Sequence, residues 1–227
     1  MMNRRHILGA GVTTGLSALA GCLTGALESE PDGEVVLDAP DDSNVGGDPS
    51  YPTYGEPFPE FALTDPLTES TVDVADFDEE SFLATAFYAE CPAECIPLMT
   101  AMAAVQSRTI DKEIDDRTRF LAITFDPERD TPERLEDHAD MVHVDLDAGN
   151  WHYLRPEDED EAREVVDNSM GIAYERDELD GGDNYDFLHI TVTYLVNPAG
   201  YVERAYRGED PDIDKITDDI ETLLERW

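Results

Sequence analysis

The chain of 227 residues carries 54 acidic against 15 basic side chains, a net charge of −39, and its only lysines are Lys112 and Lys215. So negative a surface excludes nucleic acid as a partner, because phosphate backbones are bound by basic patches. Dense carboxylate with almost no lysine instead has the character of a halophile surface, as in a haloarchaeon, and it repels itself in dilute buffer.

Residues 1–22 read as an address rather than a fold. Asn3-Arg4-Arg5-His6-Ile7-Leu8 places paired arginines before a hydrophobic pair, the pattern of twin-arginine export. The apolar stretch from Gly9 to Ala20 is too short to span a bilayer. Leu19-Ala20-Gly21-Cys22 crowds small residues ahead of a cysteine, which points to cleavage and lipid attachment at Cys22 and to a protein held on the outer face of the membrane. Residues 23–50 are rich in Asp, Gly, Pro and Ser without apolar period and are expected to form an acidic flexible linker. Residues 51–227 are enough for one domain with a sizeable core.

Within that domain, Glu60 to Thr64 and Thr71 to Val74 predict two short strands about a turn at Asp65-Pro66. Ser81 to Ala89 predicts a buried strand, and Ile96 to Ile110 a helix with Ile96, Met99, Met102, Ala103 and Gln106 at helical spacing. Arg119 to Phe125 predicts a second buried strand ending at Asp126-Pro127. Thr131-Pro132-Glu133 opens a helix with a capping residue, a first-position proline and an acid. A further helix is expected over 157–168, with the acidic run from Glu157 to Glu161 as its solvated face. Ile190 to Val196 and Tyr201 to Tyr206 predict a hairpin across Asn197-Pro198-Ala199-Gly200, and a last helix covers 211–226. This order is that of a thioredoxin-like α/β domain, with a central mixed sheet flanked by helices and an N-terminal hairpin.

The chemistry gathers at Cys91-Pro92-Ala93-Glu94-Cys95, a strand-to-helix junction where helix amides favour thiolate over thiol. Glu90 and Glu94 flank the pair with like charge that opposes thiolate formation. Two thiolates form a soft site that favours Cu(I), with zinc possible, and a closed cysteine-rich zinc site lacks further ligands. A third ligand for a trigonal site is sought among the histidines. His6 leaves with the signal. His138 lies among Glu136, Asp137 and Asp140 and is expected at the solvated surface; His143 and His152 fall in a loop region. His189 stands at the start of the apolar strand from Ile190, and position alone leaves open whether it is functional or a satisfied strand-end histidine. Asp126 and Asp130 are candidates for supporting the ligands, Asp130 equally for preceding a helix cap. Met99 and Met102 are expected to pack in the core, and Trp151 and Tyr153 to anchor core or loop.

Cys91-Pro92-x-x-Cys95 after an apolar strand, then Phe125-Asp126-Pro127-Glu128-Arg129-Asp130-Thr131-Pro132, then His189 before Thr191-x-Thr193-Tyr194-Leu195-Val196-Asn197-Pro198-x-Gly200, resembles the SCO/SenC family over most of residues 58–226. One departure is Ile96, where family members often place a proline directly after the second cysteine. The resemblance implies a thioredoxin-like fold that binds copper through Cys91, Cys95 and His189. It also implies a role in assembling the dinuclear copper centre of cytochrome c oxidase, with subunit II or another copper-receiving protein as partner. The alternative is a thiol-disulfide oxidoreductase that uses Cys91 and Cys95 as a redox-active pair without metal. A thiol peroxidase lacks its Thr-x-x-Cys signature here, and a redox sensor is a further rival.

Overall fold

The computed structural model describes residues 35–40, 49–178 and 185–227, all within the compact unit Pro31–Trp227. The signal ending at Cys22, and the linker apart from residues 35–40 and 49–50, lie outside the described residues.

The framework is a five-stranded mixed sheet. Strand β3 (Ser81–Phe87) is buried along its whole length, as a run of Phe82, Leu83, Ala84, Ala86 and Phe87 requires of a central strand covered on both faces. It pairs in parallel with β4 (Thr118–Thr124) and antiparallel with β8 (Val192–Val196). Beyond β4 lies β5 (Trp151–Leu154), again parallel, and beyond β8 lies β9 (Val202–Arg207), antiparallel. The β8–β9 turn is held by Asn197, whose side-chain oxygen accepts from the N–H groups of Ala199 and Tyr201, with Gly200 at φ 82°. The N-terminal hairpin is β1 (Ala62–Asp65) with β2 (Ser70–Asp73).

Helix α1 (Cys95–Asp111) links β3 to β4, and α2 (Pro132–Val142) links β4 to β5. The predicted start of α2 is realised: Thr131 accepts from the Arg134 N–H ahead of Pro132. The helix expected over 157–168 begins later, capped by Asp158, as one α-turn, α3 (Glu159–Ala162), and widens into a π-helical stretch, Arg163–Ser169. Helix α4 (Ile213–Arg226) packs on α1, with Arg108 paired to Asp214 and Lys112 2.9 Å from Glu221.

Three further places depart from the sequence reading. Trp151 to Leu154 is an edge strand, not a loop: Phe120 pairs with Trp151, and the two rings stack at 5.5 Å. A second hairpin, β6 (Tyr174–Glu178) with β7 (Tyr185–His189), forms a sheet of its own. His189 therefore ends β7 rather than opening the next strand. The Ile190 N–H extends this hairpin by bonding the Ala173 carbonyl at 3.1 Å, and the sheet strand begins only at Val192.

His138 is the third departure. It is only 3% exposed, 5.0 Å from the Phe87 ring, with Nδ1 3.0 Å from the Tyr153 hydroxyl. Burial pushes its pKa down to about 4, so it sits neutral in the core. It shares the apolar stripe of α2 with Leu135, Ala139 and Val142, and that spacing outweighs its acidic neighbours. Met99, Met102, Trp151 and Tyr153 are core residues, as expected.

Candidate metal centre

Strand β3 delivers the chain to Tyr88-Ala89-Glu90 and then into the cysteine loop, which ends as α1 begins at Cys95. The first turn of α1 has no side-chain cap; the Cys91 sulfur takes that place, accepting the Cys95 N–H at 3.3 Å. Both cysteines are free thiols and nearly inaccessible, at 3% and 1% exposure. From the other side β7 brings in His189, whose Nε2 is 3.6 Å from the Cys95 sulfur. Donor atoms of Cys91, Cys95 and His189 all lie within 4.8 Å of one another, the one such cluster among the described residues. His138, His143 and His152 stand outside it. His143 ends α2 in the left-handed conformation, and His152 Nδ1 is 3.2 Å from the Asp65 carboxylate.

The two sulfurs are electrostatically unequal. The hydrogen bond from the Cys95 thiol lowers the Cys91 pKa, helped against burial by His189 and by the N–H groups of Cys95 and Ala93. The same contact with Cys91, together with burial, raises the Cys95 pKa. For His189, burial opposes the charged form, but the bond to Cys91, the Ile190 carbonyl and the negative charge of Cys91 and Glu94 outweigh it and raise its pKa. These shifts favour the thiolate at Cys91 and the thiol at Cys95, with the His189 ring beside them.

The flanking acids act less than their sequence position suggests. Glu90 is drawn off by Arg134 at 2.6 Å and Arg129 at 3.5 Å, while Glu94 approaches the Cys91 sulfur only to 3.9 Å. Neither negative charge prevents the lowered pKa of Cys91, because the hydrogen bonds that favour its thiolate outweigh them.

Asp126 and Asp130 support the site without touching His189. Asp130 accepts the Ala89 N–H at 3.0 Å and the Thr124 hydroxyl at 2.5 Å, fixing the chain two residues before Cys91. It does not cap α2, a role Thr131 fills. Asp126 accepts the Tyr185 hydroxyl at 2.8 Å and pairs with Arg129. Sequence reasoning missed Tyr88, Arg129 and Tyr185. The Tyr88 hydroxyl donates to Asp186 of β7, and its ring lies 6.1 Å from that of His189. The alternation Tyr185-x-Phe187-x-His189 was the available signal for the hairpin that carries them.

The family model for SCO1/SenC matches residues 54–225. The chain belongs to the SCO1/SenC family. A SCO2-like protein of Rickettsia typhi is 28% identical over 123 residues, which cover 52% of this chain. The match spans 55% of that relative, so the chain accounts for about half the length of the curated relative it resembles. Among solved structures, Bradyrhizobium japonicum ScoI with copper bound superposes at a TM-score of 0.62 with 21% identity, covering 74% of this chain and 99% of that one. Arabidopsis thaliana ScoI with copper bound gives 0.62 at 20% identity, covering 76% and 100%. At these identities the likeness establishes the fold of the SCO1/SenC domain, a thioredoxin-like α/β architecture with a central mixed sheet. Its cluster of two sulfurs and one imidazole is a donor set suited to a soft or borderline metal.

Proposed function

We propose that this SCO1/SenC protein binds copper through Cys91, Cys95 and His189 and hands it to a copper-receiving protein, with cytochrome c oxidase subunit II as the recipient. The observation that carries the reading is the convergence of the three donors within 4.8 Å, two from the start of α1 and one from β7. Two sulfurs satisfy Cu(I); the imidazole adds the donor that Cu(II) favours. The similar ScoI structures that hold copper support it. Copper is cargo here, passed by ligand exchange as a recipient thiolate attacks while the donor still holds on. In this reading the chain is exported by the twin-arginine route and anchored by lipid at Cys22. It works on the outer face of the membrane of a salt-adapted cell.

Titration with Cu(I) against a competing chelator, and with Cu(II) while recording the visible spectrum, tests the reading. One copper per chain is expected, with a sulfur-to-copper band for Cu(II) that disappears in His189→Ala and Cys95→Ser. Absence of copper binding would overturn it.

The unequal sulfurs favour a second reading. A stabilised thiolate at Cys91 beside a protonated Cys95 is also the arrangement of an attacking and a resolving thiol. A metal-free reductant predicts that partner disulfides are reduced equally well by His189→Ala.

A further inference from the structure

His189 approaches the sulfurs on a hairpin that belongs to a different sheet from β3, so no backbone ladder of the five-stranded sheet fixes its distance from Cys95. Side chains make that connection: the Tyr88 hydroxyl donates to Asp186, and a second set of contacts converges on one guanidinium. Arg129 donates through Nη1 to the Tyr185 carbonyl at 2.9 Å, and its guanidinium lies 3.7 Å from the centre of the Tyr185 ring. Through Nε it pairs with Asp126, which itself accepts the Tyr185 hydroxyl at 2.8 Å. On the cysteine side, Arg129 Nη1 is 3.5 Å from Glu90, the residue before Cys91, and its guanidinium is 5.7 Å from the Tyr88 ring. Tyr185 lies four residues before His189 on β7. A single half-buried side chain thus touches both arms of the cluster, the loop that carries the sulfurs and the strand that carries the imidazole.

We propose that Arg129 is a positioning residue for the metal centre, fixing the span between the Cys91 loop and His189. This rests on the copper reading of the site, yet it has a consequence in the metal-free protein as well. Its planar fork bonds a carbonyl and a carboxylate while stacking on a ring, a combination that an ammonium does not reproduce. The sulfurs sit together at the start of α1 and keep their separation without it; only the imidazole depends on it. The two oxidation states of copper should therefore respond differently to its loss.

The test uses the full chain with Arg129→Met, Arg129→Lys and Tyr185→Phe beside His189→Ala. Arg129→Met should weaken Cu(II) binding about tenfold or more, in the range of substitutions behind a ligand. Its sulfur-to-copper band should weaken toward the loss expected in His189→Ala, while Cu(I) affinity stays near wild type. Arg129→Lys should not restore the spectrum, and Tyr185→Phe, which keeps the ring but loses the bond to Asp126, should fall between. Retained Cu(I) binding shows that the fold and the thiol pair survive, which a merely structural lesion would not allow. In the metal-free protein, the nuclear Overhauser contact between the His189 ring and the Cys95 β-protons should be present in wild type and lost in Arg129→Met. Wild-type Cu(II) affinity and spectrum in Arg129→Met, or an unchanged proton contact, overturns the inference. Failure of the wild type to bind copper overturns the functional reading instead, and the proton contact then decides Arg129 alone.

Discussion

The backbone N–H of Cys95 points at the sulfur of Cys91, 3.3 Å away, so the first turn of α1 is closed by a thiol where other helices use a hydroxyl or carboxylate. A negative charge on that sulfur meets the positive end of a seventeen-residue helix. Cys91 should therefore alkylate with iodoacetamide well below the ordinary thiol range, with little loss of rate from pH 8 to pH 5, while Cys95 stays unmodified in the native state. Peptide mapping of the modified sulfur against pH checks this; a midpoint near 8.5 at Cys91 would refute the cap.

Asp130 predicts a pH effect on stability. Burial pushes its pKa up to about 7, against the pull of the Thr124 hydroxyl and the Ala89 N–H. The native state holds the proton more tightly than the unfolded chain. This group therefore costs nothing well below pH 4, and its cost grows as pH rises toward 7 and is complete above it. The ceiling is on the order of 4 kcal/mol at 1.36 kcal/mol per pKa unit. Asp130→Asn keeps an oxygen for Ala89 and Thr124 and should be less sensitive to pH between 4 and 7, gaining on wild type at pH 8. Denaturant melts in concentrated salt at both pH values measure the difference.

The N-terminal segment offers a third prediction. Within the stretch read as linker, Leu37 is buried at 4% exposure, and fully buried Glu203 accepts the N–H groups of Val36 and Leu37 at 2.8 and 3.0 Å. The Tyr54 hydroxyl closes on the Leu37 carbonyl at 2.6 Å. A chain starting at residue 51 loses one buried leucine and two bonds to a carboxylate, roughly 2–4 kcal/mol. It should melt several degrees below a chain starting at residue 31, and Glu203→Gln should narrow that gap. Equal melting temperatures would show that the segment contributes nothing.

Charge predicts the fourth. With 54 carboxylates against 15 basic groups, repulsion in dilute buffer spans many neighbours. The screening length falls from about 10 Å at 0.1 M to about 3 Å at 1 M salt. The melting temperature should rise steadily with sodium or potassium chloride into the molar range. A flat profile would exclude self-repulsion as a determinant of stability.

What the sequence disclosed follows a physical division. Strands β3, β4 and β8 are covered on both faces and announce themselves as apolar runs; α2 is announced by Thr131-Pro132. The cysteine pair is legible because its chemistry is local. Strand β5 is four residues long and follows an acidic turn, so its alternation is too short to register. Hairpin β6–β7 shows water a face of acids such as Glu175 and Asp177, which in this chain look like every other solvated run. His138 was misjudged from its neighbours in sequence, when its neighbours on the helix decide its burial. Arg129 stood in the family motif but its role was not legible, because its partners Glu90 and Tyr185 are distant in sequence and meet only when the hairpin folds over the cysteine loop.

The pairing of β3 with β8 also gives the domain two poles. Phe82 lies opposite Val196, so the β8–β9 turn and Glu203 sit at the beginning of β3, whereas the cysteine loop follows its end. Five residue steps along the strand from Phe82 to Phe87 separate these levels by about 17 Å. The chain arriving through Val36 and Leu37 is gripped at the first pole, and the buried sulfurs lie at the second. The domain is thereby polarised along β3, with the incoming segment and the donor cluster held at opposite ends of one strand.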